Sequence, residues 1–298
     1  MRVLSHSLLI LPLVAGFPTL SAAQSLPEGL DVRGVIELEA LSSGSADQTV
    51  VYGDLDVSFG FGAGSMGLGL DLGFLAFDSD NDSEGALFAA LTYGTEFGKI
   101  SVGAPRGALG DFTRMPAVGG VQLLDLELSP YLGDVVDYAA LVDSETPLGL
   151  RYDGQYGNLR VGASYHNFND QDAEVIDLAL GYQTGIFFVA GGVELIDTPG
   201  GSDSDIYHIE AGAEAEYYSA GIGFTSTDDF GGDATMAWAS YSALPNTDLT
   251  VTVFDLDGTT LYGLSGEWRF LSHSFVQLGV ADTTDSDAIW DASIGLRF

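Results

Sequence analysis

The sequence predicts an all-β fold: a closed, 16-stranded antiparallel transmembrane β-barrel whose third loop folds inward. Two observations predict it. Apolar and polar residues alternate along one short segment after another, as in half-exposed β-strands. The connections between these segments are alternately longer and shorter, and an even number of strands returns both chain ends to the same edge of the barrel.

The composition combines strong acidity with enough apolar residues to fold. The chain has 43 Asp and Glu, only 9 Lys and Arg, and 46% hydrophobic residues. Disordered acidic chains lack such an apolar content, so the two kinds of residue must be sorted onto different surfaces. The absence of Cys excludes disulfides and a thiol nucleophile. No cofactor and no nucleic-acid partner are expected. The four His residues, which lack a metal-ligand spacing, are His6, His166, His208 and His273.

Residues 1–23 have the layout of a secretory signal peptide. Arg2 precedes an apolar stretch from Leu8 to Leu20, and small residues lead to a cleavage site after Ala23. An N-terminal membrane anchor is the alternative. It is disfavoured because Pro interrupts the apolar stretch, which also falls short of the roughly 18 residues of a spanning helix. The exported chain is then residues 24–298, a single β-barrel domain without a linker.

The first strand, predicted at 32–40, shows the alternation. Val32 and Ile36 lie on one face, and Arg33 and Glu37 lie on the other. The same separation recurs around residues 54–59, 68–72, 99–102, 150–153, 159–166, 176–180, 193–195, 207–217, 264–270 and 290–298. Because successive side chains of a strand point to opposite faces, each strand has one apolar and one charged face.

Acidic stretches and brief turns separate the strands in alternation. The longer connections are predicted at 42–48, 78–85, 105–146, 167–174, 197–205, 226–233, 255–258 and 282–287. The brief ones are predicted at 61–65, 93–98, 156–158, 183–185, 216–220, 243–246 and 271–274. Residues 134–141 fit either a further strand or the connection at 105–146. We place them in the connection, because a seventeenth strand would put the termini on opposite edges.

Such a barrel encloses a channel. A closed barrel is the only sheet that pairs every backbone polar group in lipid, so the apolar faces point outward and the charged faces inward. Sixteen strands enclose a lumen too wide for side chains to fill. Aromatic residues near the strand ends fit the girdles of such barrels: Tyr93, Tyr152, Tyr165, Tyr182, Tyr217, Trp268 and Trp290.

The connection at 105–146 is the only one rich in apolar residues, and an apolar segment of this length is unfavourable in water. We expect it to fold into the lumen as a constriction loop. The candidate constriction residues are Arg33, Lys99, Arg106, Asp111, Arg114, Asp125, Glu127, Arg151 and Arg160. These charges either create a transverse field that selects ions or form salt bridges that hold the loop to the wall, and the two roles are compatible.

The Asp-dense loops at 78–84 and 203–205 allow two interpretations. Several carboxylates close together suit Ca²⁺. A solvated, mutually repelling mouth is the interpretation we favour, because neither loop matches an EF-hand or a GGxGxD repeat. In both cases the mouth is electronegative and concentrates cations.

The sequence resembles a Gram-negative general diffusion porin, most closely the small alphaproteobacterial type. The resemblance rests on the signal peptide, the strand VRGVIELEA, the stretch GKISVGAP before the third loop, the hairpin at 149–168 and the terminal IGLRF. It implies a homotrimer in the outer membrane, surrounded by lipid, that passes small hydrophilic solutes passively and uses the loop at 78–85 to contact a neighbouring subunit. It also implies that the barrel-assembly machinery recognises Phe298 for membrane insertion. The small number of Arg residues departs from better-known porins and argues against anion preference.

Two other functions are less well supported. A barrel enzyme, such as a lipase or protease, needs a nucleophile beside a base, and none of the later His residues has an adjacent Ser-containing signature. A secreted acidic β-protein that binds calcium or a surface would not need connections of alternating length.

Overall fold

The computed structural model describes residues 29–44, 46–61, 67–198, 204–228, 232–284 and 287–298. Its strands are all antiparallel and form one closed ring, in which each strand pairs with its neighbours in sequence and β1 pairs with β16. The predicted 16-stranded barrel is confirmed. The predicted signal peptide, 1–23, lies outside the described residues.

The strands are short and regular, and each one except β5 has nine residues or more. Their bounds are β1 Leu30–Ser43, β2 Ala46–Gly60, β3 Gly67–Ser79, β4 Ser83–Gly94, β5 Lys99–Ala104, β6 Leu148–Tyr156, β7 Leu159–Phe168, β8 Ala173–Thr184, β9 Phe187–Asp197, β10 Ser204–Glu214, β11 Tyr218–Thr227, β12 Ala234–Leu244, β13 Thr247–Leu256, β14 Thr259–Arg269, β15 Ser274–Thr283 and β16 Ile289–Arg297.

The first and last strands close the ring. Ile36 lies opposite Leu296 in the β1–β16 register, and the backbone N–H of Phe298 donates to the carbonyl oxygen of Gly34 at 2.9 Å. Gly34 has a φ of +126°, and a Cβ atom there would lie 2.0 Å from the carbonyl oxygen of Asp54. The chain therefore needs glycine where β1 bends past β2.

The outer face of the ring is apolar, as the alternation predicts. Large apolar side chains at every second position are exposed, including Leu91 on β4, Leu178 on β8, Ile222 on β11 and Leu278 on β15. Exposed apolar surface on this scale, running around the whole ring, exceeds what soluble monomers carry. It needs a covering of lipid or protein.

The predicted contrast between long loops and short turns is wrong at several hairpins. Strands β1 and β2 are joined by Gly44 and one further residue, and β13 and β14 are joined by Asp257 and Gly258. Much of the acidic stretch at 42–48 is therefore strand. Positive φ angles at Gly44, Asp257 and Gly258 allow these tight turns. At the exposed rim both faces of a strand are solvated. Acidic side chains are therefore compatible with strand there, and the strands continue into the acidic stretches.

The connection between β5 and β6, here called the segment, spans 105–147 and differs from all the others. It contains helices α1 (Gln122–Leu128) and α2 (Val135–Val142) and short 3₁₀ turns at Gly110–Phe112, Val118–Gly120 and Ser129–Leu132. Residues 135–141, which also fit a strand pattern, are thus helical and belong to the connection. Within the described part of the chain, no helix is both long enough and apolar enough to cross a membrane.

The buried core lies where the segment meets the inward face of the strands. The segment contributes the buried residues Val118, Val121, Leu126, Leu128, Leu132, Val136, Ala140 and Leu141. The strands contribute Leu41, Val50, Tyr52, Leu75, Ala86, Phe88, Phe168, Ala173, Val175, Phe188, Ala234, Met236, Trp238, Phe254 and Ala281. The expectation that the inward face is charged along its whole length is wrong: towards the edge opposite the chain termini, its side chains are largely apolar.

Candidate functional site

Four buried carboxylates on the strands, here called the wall acids, accept backbone hydrogen bonds from the segment. They lie on β1, β8, β9 and β10. The wall acids and their donors are Glu39 with Gln122 N–H at 2.8 Å, Asp177 with Ala108 N–H at 2.8 Å, Glu194 with Val135 N–H at 3.3 Å, and Glu210 with Arg114 N–H at 3.1 Å. Buried N–H groups need a partner, and a carboxyl oxygen can accept their hydrogen bonds.

Two neutral side chains bind the middle of the segment. The hydroxyl of Thr252 on β13 accepts a hydrogen bond from Gly119 N–H at 3.3 Å, and the amide of Gln277 on β15 donates to the carbonyl oxygen of Gly120 at 2.8 Å. With the wall acids, the backbone contacts of the segment run from β1 to β15.

Arg106 forms the densest group of charges in the described structure. Its Nε donates to Asp56 at 2.8 Å, its Nη1 donates to Asp137 at 2.5 Å, and its Nη2 donates to Asp54. The guanidinium also lies 5.0 Å above the Phe88 ring. The side chain is only 16% exposed, so this cluster ties the start of the segment to β2 and to helix α2.

A second cluster forms around Arg151 on β6. Its guanidinium pairs with Asp111 and with Asp153, the latter at 2.7 Å, and donates to the carbonyl oxygen of Gly107 at 2.6 Å. Arg160 on β7 lies close by: its Nη1 is 3.5 Å from the carbonyl oxygen of Asp111. Asp111, Arg151 and Arg160 are thus brought together from the predicted set.

The other predicted constriction residues are dispersed. Arg114 pairs with Glu214 at 2.7 Å, Lys99 with Asp71 at 2.7 Å, and Arg33 with Asp31 at 2.7 Å. The Arg33 side chain is 79% exposed and lies near the edge that carries the termini. Asp125 faces a cavity, and Glu127 is exposed, without an ion pair among the described residues. The role of all nine residues in a constriction stays a prediction.

Sequence reasoning missed the acidic partners of Arg106. Asp54 and Asp56 stand at alternate positions on the charged face of β2, and this alternation predicted that their side chains point into the barrel. Nothing in the sequence links them to Arg106, which is about fifty residues away in the chain. The wall acid Glu210 was likewise placed inside, but without its role as a backbone acceptor.

Two carboxyls of the segment have opposite pKa shifts. Burial disfavours ionisation of Asp111, but the adjacent Arg151 outweighs this and holds the pKa of Asp111 below its ordinary value. Burial, assisted by the charge of Asp54, raises the pKa of Asp125 to about 7. The difference follows from the partners, because Asp111 has a cation beside it and Asp125 has none.

The segment makes its closest approach to the wall at Gly119. A Cβ atom on Gly263 of β14 would lie 2.1 Å from the nitrogen of Gly119, and one on Gly279 of β15 would lie 1.8 Å from its carbonyl oxygen. Gly119 itself has a φ of +65°. Backbone thus packs directly on backbone here, which only glycine permits.

Polar cavities lie between the segment and the strands. One of about 500 Å³ lies against β11–β16, and another of about 260 Å³ lies against β1–β6, lined by Asp56, Arg106 and Arg151 among others. A third, of about 620 Å³, reaches the turns that follow β2 and β4. The space around the segment is therefore open, and charged and hydroxyl groups line it together with glycines and apolar side chains.

Two of the three later His residues are buried, and His208 also lies 3.8 Å from Glu210. His166 is fully buried, and His208 bonds Thr225, whose own hydroxyl donates to the carbonyl oxygen of Tyr131. His273 bonds the carbonyl oxygen of Arg297 near the chain terminus. Within the described ranges, no group of three or more His, Asp or Glu side chains is placed to hold a metal ion. Asp203 of the candidate calcium loop lies outside those ranges.

Removing the Arg106 guanidinium should destabilise the protein strongly. In Arg106→Met three carboxylates lose their shared cation, so we expect the free energy of unfolding to fall by about 3–5 kcal/mol. Arg33→Met is the matched control, because its exposed pair is worth at most about 1 kcal/mol. Urea unfolding of detergent-folded protein, followed by Trp fluorescence, measures both. Equal losses in the two variants would contradict the assignment.

A methyl group at Gly279 should dislodge the middle of the segment. Gly279→Ala places Cβ against Gly119 backbone, and overpacking of this kind costs about 1–3 kcal/mol. We expect trypsin to cleave after Arg114 at least about ten-fold faster than in the parent chain, because local opening exposes that bond. Gly85→Ala, whose Cβ makes only an ordinary 3.6 Å contact, is the control. Unchanged cleavage in Gly279→Ala would show that Gly119 is not held there.

Comparison with solved structures identifies the fold. Three mutants of Rhodopseudomonas blastica porin match at 14% sequence identity, covering 90% of this chain and 100% of theirs, with TM-scores of 0.65, 0.65 and 0.64. No protein-family model matches the sequence, and no curated protein does. At this identity the likeness concerns architecture alone, and the chain has the β-barrel fold of a porin.

Proposed function

We propose that the protein is a porin of the Gram-negative outer membrane: a water-filled channel through which ions and small hydrophilic solutes diffuse passively, without enzymatic activity. The observation that carries the proposal is the division between the two faces of the ring. The outer face is apolar, whereas the eight Lys and Arg residues after residue 23 lie on the charged strand faces or in the segment. A closed ring with this division suits lipid outside and water inside.

The segment is the constriction loop of this channel. Its backbone contacts with side chains from β1 to β15 support this role, because only a chain inside the ring reaches the charged faces of so many strands. The cavities beside it provide the aqueous path. Arg106, Asp111, Arg151 and Arg160 line its beginning, and their pairing indicates that they both anchor the segment and border the path.

The channel prefers cations. Acidic residues outnumber basic ones by 43 to 9, and the electronegative interior and mouth raise the local concentration of positive ions. We propose that the acidic rim acts as a solvated mouth rather than as a calcium site.

The exposed apolar belt is covered by lipid and by neighbouring subunits of a homotrimer. Phe298 acts in assembly: its backbone N–H closes β16 on β1, and its ring stacks on His273 at 6.1 Å. The side chain remains half-exposed at the terminal edge, where the barrel-assembly machinery has access to it.

Planar-bilayer recording tests the channel and its selectivity separately. Folded protein is expected to give stepwise conductance, and in a KCl gradient the reversal potential should have the sign for K⁺ over Cl⁻. A lack of conductance from protein with folded-barrel gel mobility would overturn the channel. A chloride-selective reversal potential would overturn only the cation preference.

Deleting Phe298 should impair membrane insertion more than conduction. Without it, β16 loses its last backbone bond to β1 and the aromatic terminus, while the segment and its contacts are unchanged. We expect a lower amount in the outer membrane by immunoblot and a parental single-channel conductance in bilayers. Replacement by Tyr, which keeps an aromatic ring, is the control. Normal membrane levels of the deletion would contradict the role of Phe298.

A further inference from the structure

The cavity against β11–β16 carries a row of hydroxyl groups. Ser219, Ser240, Thr250 and Ser265, here called the hydroxyl row, occupy four successive strands. Each lies directly opposite the next in the strand register: Ser219 pairs with Ser240, Ser240 with Thr250, and Thr250 with Ser265. Directly opposite side chains in antiparallel strands are about 5 Å apart. The row is therefore a continuous band of hydrogen-bonding groups across one wall.

A second polar row adjoins the hydroxyl row on the side of the chain termini. It consists of Ser242, Asp248, Glu267 and Gln277, which are again opposite one another in register. Arg269 pairs with Asp248 at 2.6 Å and with Glu267 at 3.1 Å, and Arg297 pairs with Glu267 at 2.7 Å. The two carboxylates are thus balanced by guanidiniums, and this row supplies fixed donors and acceptors with little net charge.

On the other side of the hydroxyl row, the segment closes the cavity. Met115, Gly120, Gln122 and Asp125 of the segment face it. Gly120 is held by Gln277 and Gly119 packs on the wall. The segment and the two rows thus enclose about 500 Å³, a volume within the range of small-molecule sites.

Only some of the acidic side chains that line this cavity have a counter-ion. Glu214 pairs with Arg114, and the acids of the second row pair with Arg269 and Arg297. Among the described residues, Asp125 and Glu216 have no ion pair. Of the two, Asp125 is partly buried on the segment, whereas Glu216 is exposed in the turn between β10 and β11. With a pKa of about 7, Asp125 is about half ionised at neutral pH, and a cation beside it favours the charged form. A carboxyl group of this kind in the same cavity as a band of hydroxyls favours a ligand that carries a positive group and several hydroxyls, since charge-assisted hydrogen bonds are the stronger ones.

We propose that this cavity is a binding subsite for a small organic cation that also bears hydroxyl groups, such as an amino sugar, with the ammonium group at Asp125 and the hydroxyls along the hydroxyl row. The inference rests on the proposed channel function and names a solute class for it. A neutral sugar engages only the hydroxyl row, a plain ammonium ion engages only Asp125, and an anion is repelled.

Equilibrium dialysis of detergent-folded protein tests the subsite without requiring conduction. The probes are D-glucosamine, D-glucose, cyclohexylamine and D-gluconate at equal concentrations. Glucosamine is expected to bind at least about ten-fold more tightly than the other three probes. Glucose lacks the charge-assisted contact and cyclohexylamine lacks the hydroxyl contacts, and either loss weakens binding by about this factor. Equal affinity for glucosamine and any other probe, or no retention of glucosamine, would overturn the proposal.

Variants locate the site. Ser240→Ala with Thr250→Val removes the centre of the hydroxyl row, and Asp125→Asn, which leaves the barrel wall intact, removes the charge. Each is expected to weaken glucosamine binding at least about five-fold. Ser58→Ala, a hydroxyl of the wall beside Arg33, is the matched control and should leave binding unchanged. Loss of binding only in the control, or in none of the variants, would refute the location.

Bilayer conductance of the same preparations separates the two proposals. Glucosamine binding by protein that gives no conductance would overturn the channel and support the subsite. Conductance from protein that retains no glucosamine would overturn the subsite alone.

Discussion

The structure depends on one constraint: an irregular segment that packs against the barrel strands must pair its backbone N–H groups without a sheet to pair them with. Leaving such a group unpaired and buried costs about 1–3 kcal/mol. The wall acids meet this constraint, each at 1% exposure or less, and they do so at a cost. One oxygen of each accepts an N–H, while the other has no partner in the described structure. Burying a carboxyl group whose second oxygen lacks a partner is expensive in either protonation state, so the acids secure the position of the segment more than they add stability.

The segment also explains where the alternation rule fails. On β2 and β13 the inward positions Val50 and Phe254 are as apolar as the outward ones, because they pack against Val118, Val121 and Tyr131 of the segment rather than against water. A strand with two apolar faces gives no period-two signal for its direction. Alternation therefore predicted the strands and most of their orientations. It did not predict the core, because predicting the core requires knowing which residues of the segment pack against the strands.

The sequence predicted the basic residues of the candidate site better than the acidic residues that pair with them. Arg106 and Arg151 stand out because basic residues are so few in this chain. Their partners could not be deduced, because Asp54 and Asp137 meet Arg106 only through strand pairing and the fold of the segment. The predicted loop lengths failed for a local reason, since acidic residues at a solvated rim are compatible with either strand or loop. Composition alone does not distinguish the two.

Charge pairing also bears on how selectivity arises. Arg106 stands among three carboxylates, so its cluster is net negative when all are ionised, and Arg151 stands between two. Each ion pair at such a short distance acts as a small dipole, and the remaining negative charge of each cluster is screened over about 8–10 Å. Such pairing would weaken a transverse field between a basic wall and an acidic wall. Under the proposed function, carboxylates without a partner cation would set the potential along the path, and the proposed cation preference would follow from their sum rather than from a separation of charges across the constriction.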